Sequence, residues 1–326
     1  MSVKTIDGLM RHLRNSGVDI KGSKQKRQLV NVGYFHGYKG YRFFKNSGRR
    51  LPFATFSEIY ATIQYDTKLK ALFYDKVMFI ETAVKNIALE CILEEISSSN
   101  IQDMYSKVVR SYNNLPVGSS VEQKKKAQQD KLNLQGMIHK NIIKGYKDNN
   151  PQITHFYNNI NYGEVPIWAL FEILMLGDFG FLLSCLTYDM RDMISKRINI
   201  NLASDTNREL VYKYIYTLKD LRNAIAHNAV IFDTRFRRMD PIRAMKRCLE
   251  LEFNLPYINF KTIGDYVVLV VYYLKLLKID KKEIVSFVSK FEKLTDEYIK
   301  NVNANVSAVV VHPDLKNRMR IVRQHI

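Results

Sequence analysis

Apolar residues recur along most of this chain at intervals of three and four, a spacing that predicts amphipathic helices. Residues 4–16 set Ile6, Leu9 and Leu13 on one side. The longest regular pattern covers residues 51–96, where Ile59, Ile63, Leu69, Leu72, Phe73, Val77, Ile80, Val84, Ile87 and Cys91 follow the 3.6-residue period. Thr55 or Ser57 is placed to cap its start, and a Ser-Ser-Ser-Asn turn closes it. Further helices are predicted over 101–113, over 121–148 and after Pro151. Val165-Pro166-Ile167-Trp168 opens another, with Pro near the first turn, and Gly177-Asp178 punctuates before a new helix over 179–186. Residues 205–227 form the next, with Leu210, Tyr214, Leu218 and Leu221 inward, and Pro241-Ile242 starts a further one. Residues 263–278 and 281–300 make a final pair. The first of these is apolar nearly all round and is therefore expected at the centre. No stretch alternates convincingly with period two, so the expected fold class is all-α.

Composition adds bounds. With 326 residues, 46% of them hydrophobic, the chain can fill one large core or two modest ones. Scarce glycine and proline (14 and 7) favour helix. The expected layout is a basic, aromatic-rich N-terminal segment over 1–50, a helical body over 51–300 and a basic C-terminal tail over 301–326. Cys91, Cys185 and Cys248 are odd in number and far apart, and read as reduced core residues rather than disulfides or metal ligands. No apolar leader stands at the N-terminus, and the longest apolar run, 266–274, is closed by Lys275 and is too short to span a bilayer. A soluble, cytoplasmic protein with no membrane partner is expected.

Charge narrows the partners. Fifty Lys+Arg against 32 Asp+Glu leave a formal charge of +18. That far exceeds the magnitude of about 2–8 that suffices for solubility, and it points to nucleic acid or an anionic surface. Residues 20–50 carry nine Lys/Arg and no acid. Within them, Gly33-Tyr34-Phe35-His36-Gly37-Tyr38-Lys39-Gly40-Tyr41-Arg42-Phe43-Phe44 interleaves rings with cations, among them Lys39 and Arg42. Such a stretch suits stacking on exposed bases; equally, the rings suit anchoring an irregular segment on the helical body. A second basic patch, Arg235, Arg237, Arg238, Arg243, Lys246 and Arg247, is placed to guide an RNA backbone or to form a solvated helix start. The run Lys124–Lys126 reads as a solvated face.

One segment concentrates chemistry. Leu221-Arg222-Asn223-Ala224-Ile225-Ala226-His227-Asn228 sets a guanidinium, an amide and an imidazole close together at the end of a helix. Asn223 and His227 are four apart and share a face, whereas Arg222 lies about 140° round from His227 and must reach back with its long side chain. An Arg followed by His at this spacing arises by chance about once in a chain of this composition, and Arg320–His325 supplies such a match, without an Asn after the Arg. The bland reading makes His227 a C-terminal histidine favoured by the helix dipole, with Arg222 paired to Asp220 or Glu209.

Arg222-Asn223-x3-His227 with its flanking Asn resembles the signature of HEPN-domain ribonucleases, and the wider chain resembles their abortive-infection branch of the Abi-D/Abi-F type. Three further blocks carry that likeness: Gly33-Tyr34-Phe35-x2-Tyr38-x2-Tyr41-x-Phe43; Glu81-Thr82-Ala83-Val84-Lys85-Asn86, with Lys85 where the family has Arg; and Val165-Pro166-Ile167-Trp168-x3-Glu172-x4-Gly177. The resemblance implies a helical bundle of HEPN type with additional N- and C-terminal helices. It also implies a metal-independent endoribonuclease, without a cofactor, that acts as a toxin-like effector in anti-phage defence. A small noncoding regulatory RNA is an implied partner.

The chemistry stands by itself as well. No metal-ligand spacing appears in the sequence, and cleaving RNA without a metal calls on the 2′-hydroxyl as nucleophile. His227 suits a proton transfer at neutral pH, Arg222 a clamp on phosphoryl oxygens, and Asn223 the orientation of phosphate or imidazole. One credible set per chain and two proton transfers point to a homodimer with a composite site. Glu81 and Glu172, read as buried polar residues, together with Lys85 and Asn228, are candidates to support Arg222 or His227 from behind, or to form core ion pairs. A non-catalytic RNA-binding module is the alternative function.

Overall fold

Several helix starts in this protein are set by short polar side chains that occupy otherwise orphaned amides. Thr5 caps α1 (Ile6–Asn15), Asn100 caps α4 (Ile101–Lys107), and Ser120 with Gln123 forms a reciprocal capping box on α5 (Val121–Lys147). The computed structural model describes residues 5–45, 48–159 and 163–326. Among them lie fifteen α-helices and no strand, only three isolated bridges, so the fold is all-α. The remaining helices are α2 (Gly22–Val32), α3 (Phe56–Ile96), α6 (Pro151–Asn158), α7 (Ile167–Ile173), α8 (Leu176–Cys185), α9 (Tyr188–Ile198), α10 (Leu210–Ala226), α11 (Arg243–Phe253), α12 (Ile263–Leu276), α13 (Lys281–Lys300), α14 (Ala304–Val310) and α15 (Leu315–Gln324).

The chain forms two compact units, Met1–Met78 with Asp220–Pro241 and Leu249–Ile326, and Phe79–Lys219 with Ile242–Cys248. In the first unit every residue of α12 from Ile263 to Leu274 is buried, as its all-round apolar pattern predicts. α12 packs against α13 and α15. Burying one charge there requires another: Asp265, 2% exposed, takes Arg318 Nη2 at 2.5 Å and the Phe260 amide at 2.8 Å. Residues 301–326 are therefore no loose tail, because Met319 and Val322 of α15 are fully buried and Arg318 is tied to α12.

The second unit holds α5 against α6, α7 and α8. Its internal staple is Arg191, 2% exposed, whose guanidinium lies over the rings of Tyr188 and Tyr212 and donates to the carbonyls of Leu183, Ser184 and Arg208. Burial, with Arg110 nearby, lowers its pKa to about 10. Cys91, Cys185 and Cys248 are buried and form no disulfide.

Several boundaries differ from the periodicity. The break expected at Gly177-Asp178 falls earlier, at Leu174 and Met175, whose extended backbones end α7 and start α8. Gly177 and Asp178 lie inside the first turn of α8. Thr187 caps α9 as a separate helix, and a left-handed Asn199 ends it. α10 starts at Leu210, because the Asp205 carboxylate takes the amides of Glu209 and Leu210 at 2.7 and 3.0 Å. The expected irregular segment over 20–50 is largely helical. α2 runs into a π-helical stretch, Gly33–Lys39, and a Cβ on Gly37 would lie 2.7 Å from Val32 Cγ2. The wider π turn thus closes only because residue 37 lacks a side chain.

Candidate active site

α10 delivers Arg222, Asn223 and His227 at its C-terminal end, and the way it stops decides their exposure. Asn228 takes a left-handed φ of 51°, the Ala229 amide reaches the Ala224 carbonyl at 2.8 Å, and the Asn228 amide reaches Ile225 at 3.1 Å. These are the paired bonds of a Schellman C-cap, with Asn in the position where a left-handed backbone costs least without glycine. The His227 amide makes the last helical bond, to Asn223 at 3.0 Å, and its imidazole is left exposed. Arg222 Nη1 lies 3.4 Å from Asn223 Oδ1, so guanidinium and amide are adjacent. The Arg222 stem shares a shallow slot with Tyr74, Val77, Met78, Ile225 and Ala226.

The turn after the helix is fastened to a buried ionic pair on α3. Asp66, fully buried, accepts from the amides of Ile231 and Phe232 at 2.8 and 2.7 Å, from the Tyr41 hydroxyl at 2.7 Å, and from the ammonium of Lys70 at 2.8 Å. Burial, reinforced by Asp66, pushes the Tyr41 hydroxyl far above its ordinary range, so it stays a donor. Lys70, 7% exposed, also donates to Asn228 Oδ1 at 2.8 Å. The other end of that amide faces His36, with Nδ2 3.2 Å from Nε2. One hydrogen-bonded chain therefore runs from Tyr41 through Asp66, Lys70 and Asn228 to His36.

Arg235 continues the stitching. Its guanidinium grips Asp233 and donates to the carbonyls of Gly40 and Phe43 at 2.8 and 2.5 Å. Its donors are spent inside the protein, in contrast to the role in guiding RNA that its place in the basic patch suggests. Arg237 is likewise held, by Asp240 and the Asn259 carbonyl. Arg238 is exposed, as are Arg243 and Arg247 on α11, and Lys246 is half-buried. Of the N-terminal rings, Tyr38, Tyr41 and Phe44 are buried and anchor the segment, whereas Phe35 is 76% exposed. Lys39 Nζ stands 5.7 Å from the centres of the Tyr34 and Phe35 rings, and the Arg42 guanidinium lies over Tyr38 and Phe43.

Glu81 and Lys85 belong to the second unit, where they pair at 3.0 Å and Lys85 also donates to the Leu174 carbonyl at 2.6 Å. Glu172 differs from its expected burial and is exposed, because the short α7 turns Ala169, Leu170 and Phe171 inward and leaves the next position facing water.

His36, Asp66 and Lys70 carry no motif in the linear chain. The signal available for two of them is that Asp66 and Lys70, four apart, occupy positions where the α3 period calls for apolar residues. A family model described as Abi-like protein matches residues 27–233, a span that takes in every member of this network from His36 to Asp233. No curated protein and no solved structure matches the chain. On the strength of that match over well more than half its length, the chain belongs to the Abi-like protein family, an abortive-infection family.

Proposed function

We propose that this protein is a metal-independent endoribonuclease of HEPN type, of the Abi-D/Abi-F kind, acting as a toxin-like effector in anti-phage defence. The observation that carries the reading is the exposed His227 imidazole, held at a rigid C-cap five residues after an Arg222 whose guanidinium touches Asn223. An imidazole sealed in the core would defeat it. Arg222 neutralises charge developing on the phosphoryl oxygens, Asn223 orients that guanidinium, and His227 transfers a proton. The 2′-hydroxyl attacks phosphorus and the 5′-oxygen leaves, so the products carry a 2′,3′-cyclic phosphate and a 5′-hydroxyl, and DNA is inert. Lys39, Arg42 and the exposed Arg238, all of the unit that carries His227, supply phosphate contacts. A small noncoding RNA is the proposed restraint on this activity.

The test incubates the protein and a His227→Ala variant with labelled RNA and EDTA. Cutting that persists in EDTA and vanishes in the variant supports the enzyme. RNA that is retarded but uncut by both proteins supports a binding module instead, and retardation should weaken steeply with salt.

A further inference from the structure

We propose that His36 is the second proton-transfer group of this site, working with His227 of the same chain; the inference rests on the nuclease reading above. The side-chain amide of Asn228 is oriented from the buried side. Lys70 Nζ can only donate, so it takes Oδ1 at 2.8 Å and fixes which way the amide faces. Nδ2, also a pure donor, is then the atom 3.2 Å from His36 Nε2. The geometry casts His36 Nε2 as the acceptor of this contact, with a lone pair directed toward the turn that follows His227. A ring nitrogen in that role can serve as a general base.

The arrangement is built from the buried side outward. Asp66 is fully buried and Lys70 nearly so, yet the chain they start ends on two exposed groups, Asn228 and His36. A solvated histidine on an ordinary surface has no such scaffold behind it. The π-helical stretch, closed by the tight approach of Gly37 to Val32, turns Tyr38 into the core and leaves Phe35 and His36 outside. Asn228 directly follows His227, and adjacent Cα atoms are 3.8 Å apart, which puts His36 Nε2 within about 11 Å of the His227 Cα. Two imidazoles reaching from those points can flank one phosphodiester. The charged groups around His36 are Lys39 on its own stretch and Lys70 with Asp66 behind it on α3, and the titratable ones include His227 at the end of α10; His12 of α1 packs on the neighbouring Tyr34 ring.

In the reaction, the RNA 2′-hydroxyl takes the place of the Asn228 amide as donor to His36 Nε2. The O2′–P bond forms as the O2′ proton passes to His36, the P–O5′ bond breaks, and the His227 imidazolium delivers a proton to O5′. Water then returns His36 to its neutral form and reprotonates His227. Both proton transfers are thereby assigned to groups carried by one chain.

The test uses full-length wild type, His36→Gln and His227→Ala on two RNAs, one with a natural linkage and one with sulfur bridging at the 5′ position, a leaving group that needs no proton. Gln keeps an acceptor for Asn228 but cannot relay a proton. The expected result is a loss of about 10²–10⁴-fold on natural RNA for His36→Gln at an unchanged melting temperature. The sulfur linkage restores cutting by His227→Ala but not by His36→Gln. Mixing the two variants restores nothing, since each chain lacks half of its own pair. His36→Gln cutting natural RNA within about threefold of wild type would overturn the inference while leaving the nuclease standing. Restoration on mixing would overturn the same-chain pairing. Wild type that cuts neither RNA would remove the nuclease reading and this one with it.

Discussion

Removing the charge of Asp66 tests whether the candidate site stands on a buried ionic pair. Asp66→Asn keeps an oxygen for the Ile231 and Phe232 amides, now 2.8 and 2.7 Å from Oδ1, so the turn after His227 does not lose those bonds. What it loses is Oδ2, which pairs with the ammonium of Lys70 at 2.8 Å, a side chain 9% exposed, and accepts from the Tyr41 hydroxyl at 2.7 Å. Breaking a buried pair from one side costs about 3–5 kcal/mol; retention of the amide bonds and of Asn228 on Lys70 places the expected cost near the lower figure, about 3 kcal/mol. Lys70→Met leaves Asp66 with three donors and costs less, about 1–3 kcal/mol, mostly for the Asn228 oxygen and the carboxylate left short of a partner. With both changes no uncompensated charge stays inside, and replacing a buried pair with uncharged groups is often close to neutral. The double variant should therefore be no worse than Asp66→Asn alone, a coupling at least as large as the Lys70→Met cost, about 1–3 kcal/mol. Urea denaturation followed by far-ultraviolet circular dichroism reads these differences, provided the slopes agree. If the two costs add to within about 0.5 kcal/mol, the carboxylate and the ammonium do not depend on each other and the reasoning fails.

Two further outcomes follow from local geometry. Burial by itself would raise the Glu58 pKa, but bonds from the Ala54 and Thr55 amides and from the Asn303 amide and side chain outweigh it and hold the carboxyl below its usual range. Because the folded value is depressed, this stabilisation is present above the unfolded value of about 4.3 and is lost as pH falls through the folded one; Glu58→Gln should flatten that part of a plot of urea midpoint against pH. Gly37→Ala places a methyl 2.7 Å from Val32 Cγ2 and 2.8 Å from its carbonyl oxygen. It should cost about 1–3 kcal/mol, read as a lower melting temperature, and should reduce RNA cleavage by moving His36.

The helical class was plain from spacing alone, since a 3.6-residue repeat sustained through α3, α10, α12 and α13 has only one regular solution. Ends were less plain. Whether Leu174-Met175 or Gly177-Asp178 interrupts a helix depends on which backbone groups find partners across the fold. The capping of α10 by Asp205, four and five residues upstream of the amides it takes, is likewise invisible to a pattern of apolar residues.

The site divides in the same way. Arg222, Asn223 and His227 lie within six positions on one helix end, so local geometry was enough to group them, and Asn228 was a natural helix stop. His36, Asp66 and Lys70 stand up to 192 positions away, and nothing in a linear reading places them beside that stop. Likewise Arg235 looked like one more cation in a basic patch until the fold closed Asp233, Gly40 and Phe43 around it. Short-range order follows from backbone hydrogen bonding and side-chain period, which a sequence states directly. Long-range hydrogen bonds arise only after distant segments are buried together, because burial is what forces each charge and amide to find a specific partner.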